Sequence, residues 1–263
     1  MRRREDGYHD LESLFVPVPL CDELEITPAE CFSFIQSGIA VGGGAEDNIV
    51  VKAVRLMQRV SADSRVGNVA IRLHKNIPFG AGLGGGSSDG AFTLRMLNEL
   101  FDLGFDSQGL RAMAAQLGAD CPFFIDNRTA YVTGIGDRIS PLGFNPLEGY
   151  KLVMIKPDET VSTAEAYRGI TPREQRADIK PCLLTEAIRR PVAEWKETIF
   201  NDFEVNVFGT HPQLETIKRT LYAHGALYAA MSGSGSTVYG IFDHEAQTES
   251  IINPQYTTYT FEL

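Results

Sequence analysis

The chemistry this chain advertises is concentrated in Ile77-Pro78-Phe79-Gly80-Ala81-Gly82-Leu83-Gly84-Gly85-Gly86-Ser87-Ser88-Asp89, where five glycines fall within seven residues and two serines follow. Glycine admits positive φ and lets a ligand approach the main chain closely. A strand pattern precedes the segment and a helix pattern follows it. A helix start there adds free N–H groups and the positive end of the peptide dipole. Together these make an anion cradle, and a nucleotide phosphate is the anion it suits best. The segment is not a P-loop, because no Lys precedes Ser87. Gly80, Gly82 and Gly85 spell G-x-G-x-x-G, a weak signal alone. A flexible connection is the competing reading, opposed by Leu83 in its middle and by the regular elements on both sides.

Three other segments carry reactive or recognition groups. Asp120, in Leu117-Gly118-Ala119-Asp120-Cys121-Pro122, follows a helix-ending glycine and precedes an apolar run. It is either a turn or cap aspartate, or a carboxylate that faces a transferred phosphoryl group, orients a hydroxyl and takes its proton. Met231-Ser232-Gly233-Ser234-Gly235-Ser236-Thr237 suits a tight hairpin; its small residues also allow a second backbone segment to close over the glycine loop or its ligand. Asp6-Gly7-Tyr8-His9-Asp10 presents a phenol and an imidazole, as filler or as ligand contacts.

These groups need elements to hold them. Residues 14–18 and 23–26 read as strands. Glu46-Asp47-Asn48 opens a helix along which Val50, Ala53, Val54, Met57 and Val60 recur at helical spacing. Val69, Ile71 and Leu73 alternate with Ala70, Arg72 and His74, a half-buried strand that feeds the glycine loop. Beyond the loop, Phe92, Leu94, Leu97 and Phe101 form the apolar stripe of a helix. Ser107 is placed to cap another, which Gly118 ends. Residues 122–125 and 130–133 read as short strands. Residues 141–149 are turn-rich and mark a junction between domains 1–147 and 148–263. After it come a strand at 152–155, helices near 183–189 and 213–224, strands at 227–231 and 237–242, and an alternating segment at 256–261. Strands and helices mix without regular βαβ alternation, which points to an α+β class.

The 263 residues are 43% hydrophobic and 22% charged, enough for two modest cores. A net charge of −10 opposes a nucleic-acid or membrane-surface partner, which calls for a basic face. Cys21, Cys31, Cys121 and Cys182 are scattered, with no zinc spacing, as in reduced cytoplasmic proteins. The basic start leads to no apolar stretch of signal-peptide type.

The Pro-x-x-x-Gly-Leu-Gly-Gly-Gly-Ser-Ser loop, the internal Gly118-Ala119-Asp120 and the C-terminal Met231-Ser232-Gly233-Ser234-Gly235 together resemble the GHMP family of small-molecule kinases. Arg4-Glu5-Asp6-Gly7-Tyr8-His9-Asp10-Leu11 and Asn201-Asp202-Phe203-Glu204 are similar to its branch acting on a cytidine diphosphate-linked sugar alcohol. The resemblance implies transfer of the ATP γ-phosphoryl group to a hydroxyl of that small molecule, with Mg²⁺ as counter-ion. It implies an N-terminal domain of ribosomal protein S5 type, a ferredoxin-like C-terminal domain and a site between them. Pro78, Phe79, Gly80, Ala81, Gly82, Leu83, Gly84, Gly85, Gly86, Ser87 and Ser88 would wrap the ATP phosphates, with Asn48 and Lys75 as further nucleotide contacts. Asp120 matches the catalytic aspartate. Tyr8 and His9 match the cytosine-recognition pair, Tyr167 would supply a stacking ring, and Gly233, Ser234 and Gly235 would complete the cleft. Kinases of homoserine or mevalonate, and a catalytically impaired nucleotide-binding homologue, are the alternatives.

In the family a first strand precedes the Gly-Tyr-His segment and carries a Lys and an Asn near the reaction. Here Met1 stands seven residues before Tyr8, so that strand is expected to be missing. Either the natural protein begins further upstream or the chain is catalytically weakened. A missing strand would leave a sheet edge open to pairing, hence a monomer or weak homodimer.

Overall fold

The computed structural model describes residues 2–3, 9–61, 65–168, 170, 182–251 and 253–263. The chain divides into two units: Pro19–Phe79 with Gly84–Pro141, and Met1–Val18 with Gly80–Leu83 and Leu142–Leu263. This differs from a simple cut near residue 147, because the start of the chain and four loop residues group with the C-terminal segment.

In the first of these units, Val69, Ile71 and Leu73 turn one face of strand β5 (Val69–Lys75) inward while Arg72 and His74 stay exposed. Strand β3 (Glu23–Pro28) runs antiparallel to β5 and β4 (Ser33–Gly38) runs parallel to it, with Ile26 and Phe34 both in register with Ile71. Helix α1 (Ile49–Val60) lays Val50, Val51, Ala53, Val54, Leu56 and Met57 into the core. Helix α2 (Gly85–Leu100) meets it with Ala91, Leu94 and Leu97. Their approach is close: a Cβ on Gly90 would lie 2.9 Å from Ile49. Helix α3 (Ser107–Leu117) completes this core with Leu110, Met113 and Ala114. Its cap is Asp106, whose carboxylate accepts from the Gly109 amide at 2.8 Å. Ser107 is therefore the first helical residue, not the cap.

Residues 122–125 are helical rather than extended, in α4 (Cys121–Asp126). The proline sits in the first turn, where its fixed φ suits a helix and its missing N–H costs nothing. Cys121, Phe123 and Ile125 are buried, and a short apolar run does not reveal by periodicity which element it forms. Strands β6 (Ala130–Gly134) and β7 (Arg138–Pro141) pair antiparallel.

In the other unit, β8 (Lys151–Lys156), β9 (Tyr228–Met231), β10 (Val238–Phe242) and β11 (Thr257–Glu262) form an antiparallel sheet ordered β11-β8-β10-β9. Helices α7 (Glu204–Thr210) and α8 (Pro212–Ala223) share a core with it through Val207, Leu214, Ile217 and Leu221. Shorter helices are α5 (Thr163–Arg168) and α6 (Leu184–Ala187). Strand β2 spans His9–Phe15, earlier than residues 14–18. Its His9 and Asp10 pair antiparallel with the two-residue strand β1, Arg2–Arg3. Among the described residues, no helix is long and apolar enough to cross a membrane.

Candidate active site

The glycine loop leaves β5 and climbs into α2 through three alternate left-handed residues, Gly80 (φ +65°), Gly82 (+73°) and Gly84 (+68°). Gly84 precedes the helix, and the first helical bond runs from the Ser88 amide to the Gly84 carbonyl at 2.9 Å. The amides of Gly85, Gly86 and Ser87 therefore lie ahead of the first carbonyl able to pair with them. No acidic residue occupies that first turn to compete with an anion. Gly86 is exposed and a Cβ there would meet nothing, whereas at Gly85 it would lie 2.7 Å from Ile77. Phosphate oxygens suit the open amides of such a helix start.

The small-residue turn after β9 lies against the loop at Gly82. A Cβ on Gly82 would sit 2.0 Å from the Ser232 carbonyl, so glycine is required there on both space and φ. The Ser232 hydroxyl donates to the Gly82 carbonyl at 2.7 Å, and the Thr237 amide donates to the Ala81 carbonyl at 3.2 Å. The turn is fixed from behind. Asn201 Nδ2 donates to the carbonyls of Met231 (2.7 Å) and Gly233 (2.8 Å), and Glu204 accepts from the Met231 amide at 2.8 Å. Thr163 and Ser234 hydroxyls lie 3.4 Å apart. Asn201 and Glu204 enter the sequence reading only through the family resemblance, and Ser232 only within a small-residue segment. Their roles arise from contacts distant in sequence.

Asp120 sits at the N-terminus of α4 but its side chain makes no capping bond. Its carboxylate remains accessible, yet protein crowds around it, and the resulting desolvation raises its pKa. Cys121, its neighbour, is buried where α4 packs against α2. Burial, then the Asp120 charge, pushes that thiol up to about 11, so it is not a nucleophile at neutral pH. Phe124 also braces the loop: a Cβ on Gly84 would lie 2.9 Å from its ring.

Lys75 does not present its ammonium to the loop surface. It is 4% exposed and donates to Asp22 and, at 2.7 Å, to Asp89. The expected phosphate-facing lysine is thus a buried support. Asn48 caps α1, accepting from the Val50 amide at 2.9 Å while its Nδ2 donates to Gln36 at 3.0 Å. Phe79 is 66% exposed beside the loop. His9 and Tyr167 come together, ring centroids 5.5 Å apart, and Phe203 stacks edge-on to Tyr167 at 4.9 Å. Tyr8 lies outside the described residues.

Comparison with known proteins matches two stretches of the chain. Residues 48–128 match the GHMP kinases N terminal domain and residues 183–254 match the GHMP kinases C terminal domain. The chain belongs to the GHMP kinase family. This GHMP kinase is 49% identical over 247 residues to 4-diphosphocytidyl-2-C-methyl-D-erythritol kinase of Bacteroides fragilis, covering 92% of the chain and 87% of that protein. The protein of the same name from Cytophaga hutchinsonii is 41% identical over 94% of the chain and 89% of its own length. A crystal structure of a 4-(cytidine 5'-diphospho)-2C-methyl-D-erythritol kinase superposes with a TM-score of 0.81 at 33% identity, covering 98% of this chain and 91% of the other. Homoserine kinase from Cytophaga hutchinsonii, at 16% identity, shares the fold with a TM-score of 0.67 over 96% of this chain and 93% of its own. The architecture is that of a two-domain α+β GHMP kinase.

Proposed function

We propose that this kinase transfers the γ-phosphoryl group of ATP to the 2-hydroxyl of 4-diphosphocytidyl-2-C-methyl-D-erythritol, a step of non-mevalonate isoprenoid biosynthesis. The 49% identity over 92% of the chain to a kinase of that name carries the reading. The left-handed glycines and the open start of α2 support its phosphoryl-transfer half.

In this reading residues 78–88 wrap the ATP phosphates through main-chain amides, with Asn48 serving the nucleotide side and Lys75 supporting the loop from beneath. Ser88 would be the loop hydroxyl nearest a Mg²⁺ ion accompanying the phosphates, which would supply their counter-charge. Asp120 orients the acceptor hydroxyl and accepts its proton as the new O–P bond forms and the bond to the ADP oxygen breaks. Crowding that raises its pKa makes it a stronger base than a free carboxylate. Tyr8, His9 and Tyr167 receive the cytosine, with Phe203 bracing Tyr167. Gly233, Ser234 and Gly235 complete the cleft. The domains, 1–147 of ribosomal protein S5 type and 148–263 ferredoxin-like, act in the cytoplasm as a monomer or weak homodimer.

Transfer of labelled γ-phosphate to the cytidine diphosphate sugar alcohol, to homoserine and to mevalonate tests the reading directly. Labelling of the first alone is expected. Preferential labelling of either other acceptor, or none, overturns it.

A further inference from the structure

Beneath the glycine loop lies a cluster that no motif marks. Asp22, just ahead of β3, buries its carboxylate to 3% exposure. One oxygen accepts from two successive amides, Asn76 at 2.6 Å and Ile77 at 2.8 Å, where the chain leaves β5 for the loop. The other accepts from Lys75, whose ammonium also bonds Asp89 in the second turn of α2. Ile77 in turn fills the space that a side chain on Gly85 would need. A single carboxylate thus fixes where the loop begins, and its lysine partner connects that point to the helix on which the loop ends.

Stability alone is a poor reason for such a cluster. Burying one ammonium with two carboxylates carries a large desolvation penalty, and apolar side chains of like volume commonly do as well or better. Charge-assisted bonds to main-chain amides do hold a backbone to fractions of an ångström, which apolar packing does less well. Amides that cradle phosphates require that tolerance.

We propose that Asp22 is a positioning residue for nucleotide binding, setting the glycine loop through the Asn76 and Ile77 amides and, through Lys75 and Asp89, through α2. This deepens the reading that the loop holds the ATP phosphates. Because those contacts serve bound ATP before and during transfer, their loss appears chiefly in ATP affinity.

The test is calorimetric ATP binding with Mg²⁺ present, on the wild type and on Asp22→Ala and Asp22→Asn, joined to KM values for ATP and the acceptor. Asp22→Ala is expected to weaken ATP binding about tenfold or more and leave the acceptor KM within about twofold. Asp22→Asn keeps an oxygen for the two amides but loses the charge, and is expected to recover only part of that loss, binding ATP about threefold more weakly than wild type. A folded Asp22→Ala with wild-type ATP affinity overturns the proposal, as does an equal rise in both KM values. Should Asp22→Ala not fold, Asp22→Asn decides alone: an ATP affinity weakened about threefold supports the role, and an unchanged one overturns it. A wild type that gives no ATP heat removes the underlying reading instead, so the two failures are distinct.

Discussion

Where the glycine loop leaves β5, buried charge holds it: Asp22 grips two amides and Lys75 links Asp22 to Asp89. Four residues beyond Ile77, Ser232 and Thr237 hold Ala81 and Gly82 through a hydroxyl and main-chain groups alone. The first anchor depends on protonation and on the identity of three side chains. The second is indifferent to pH, and what it cannot tolerate is a Cβ. The glycine loop thus uses polar side chains where the chain must be aimed and bare backbone where another segment must come close.

The largest expected effect lies outside both anchors and supplies their baseline. Asp120→Asn should lower kcat by about 10³-fold while ATP still binds with wild-type heat, because the proton acceptor is lost and the loop is untouched. In the wild type, kcat should fall as pH drops through the raised Asp120 pKa, so the acid limb should stand above that of an ordinary carboxylate. A kcat that survives Asp120→Asn removes the residue from the chemistry.

Gly82→Ala probes the backbone-held part. With φ at +73° and a Cβ 2.0 Å from the Ser232 carbonyl, ATP affinity should fall about tenfold and the melting temperature should drop well beyond that of Gly80→Ala. Gly80 shares the left-handed φ but faces open space, so its alanine costs only about 1–2 kcal/mol. Equal effects at the two positions would mean that φ, not the approach of Ser232, sets the requirement.

Asp89 tests the charge-held part. Its carboxyl titrates at about 7 in the folded chain against an ordinary 3.8, so between those values the folded state holds a proton that the unfolded state has lost. The stability it contributes is full below about pH 4 and is lost as pH rises to about 7. The melting temperature of wild type relative to Asp89→Asn should therefore decline across that window. A flat difference would deny the buried carboxyl its raised pKa. The smallest effect is expected of Ser232→Ala, which deletes one hydrogen bond to Gly82 and should cost about 1 kcal/mol by denaturant titration, at any pH.

Locally encoded features were legible. The strand-glycine-helix order of residues 69–100 follows from a period-2 run, a glycine cluster and a period-3.6 stripe, all within one stretch of chain. Asn48 at the head of α1 follows from its type and its place before an apolar helix. Features decided by burial were less so. Lys75 beside a phosphate loop invites a phosphate contact, and only its two buried aspartates redirect it. Residues 122–125 carry no period long enough to distinguish strand from helix, and the proline in the first turn decided the matter.

The amino-acid order by itself determined the family and the strand-glycine-helix order around the loop, because glycine spacing and helix starts act within a few residues. Tertiary structure alone decided what holds that loop. Asp22 lies 53 positions from Lys75, and Ser232 lies 150 positions from Gly82. Contacts of that separation leave no periodicity in the chain and exist only once both cores have formed.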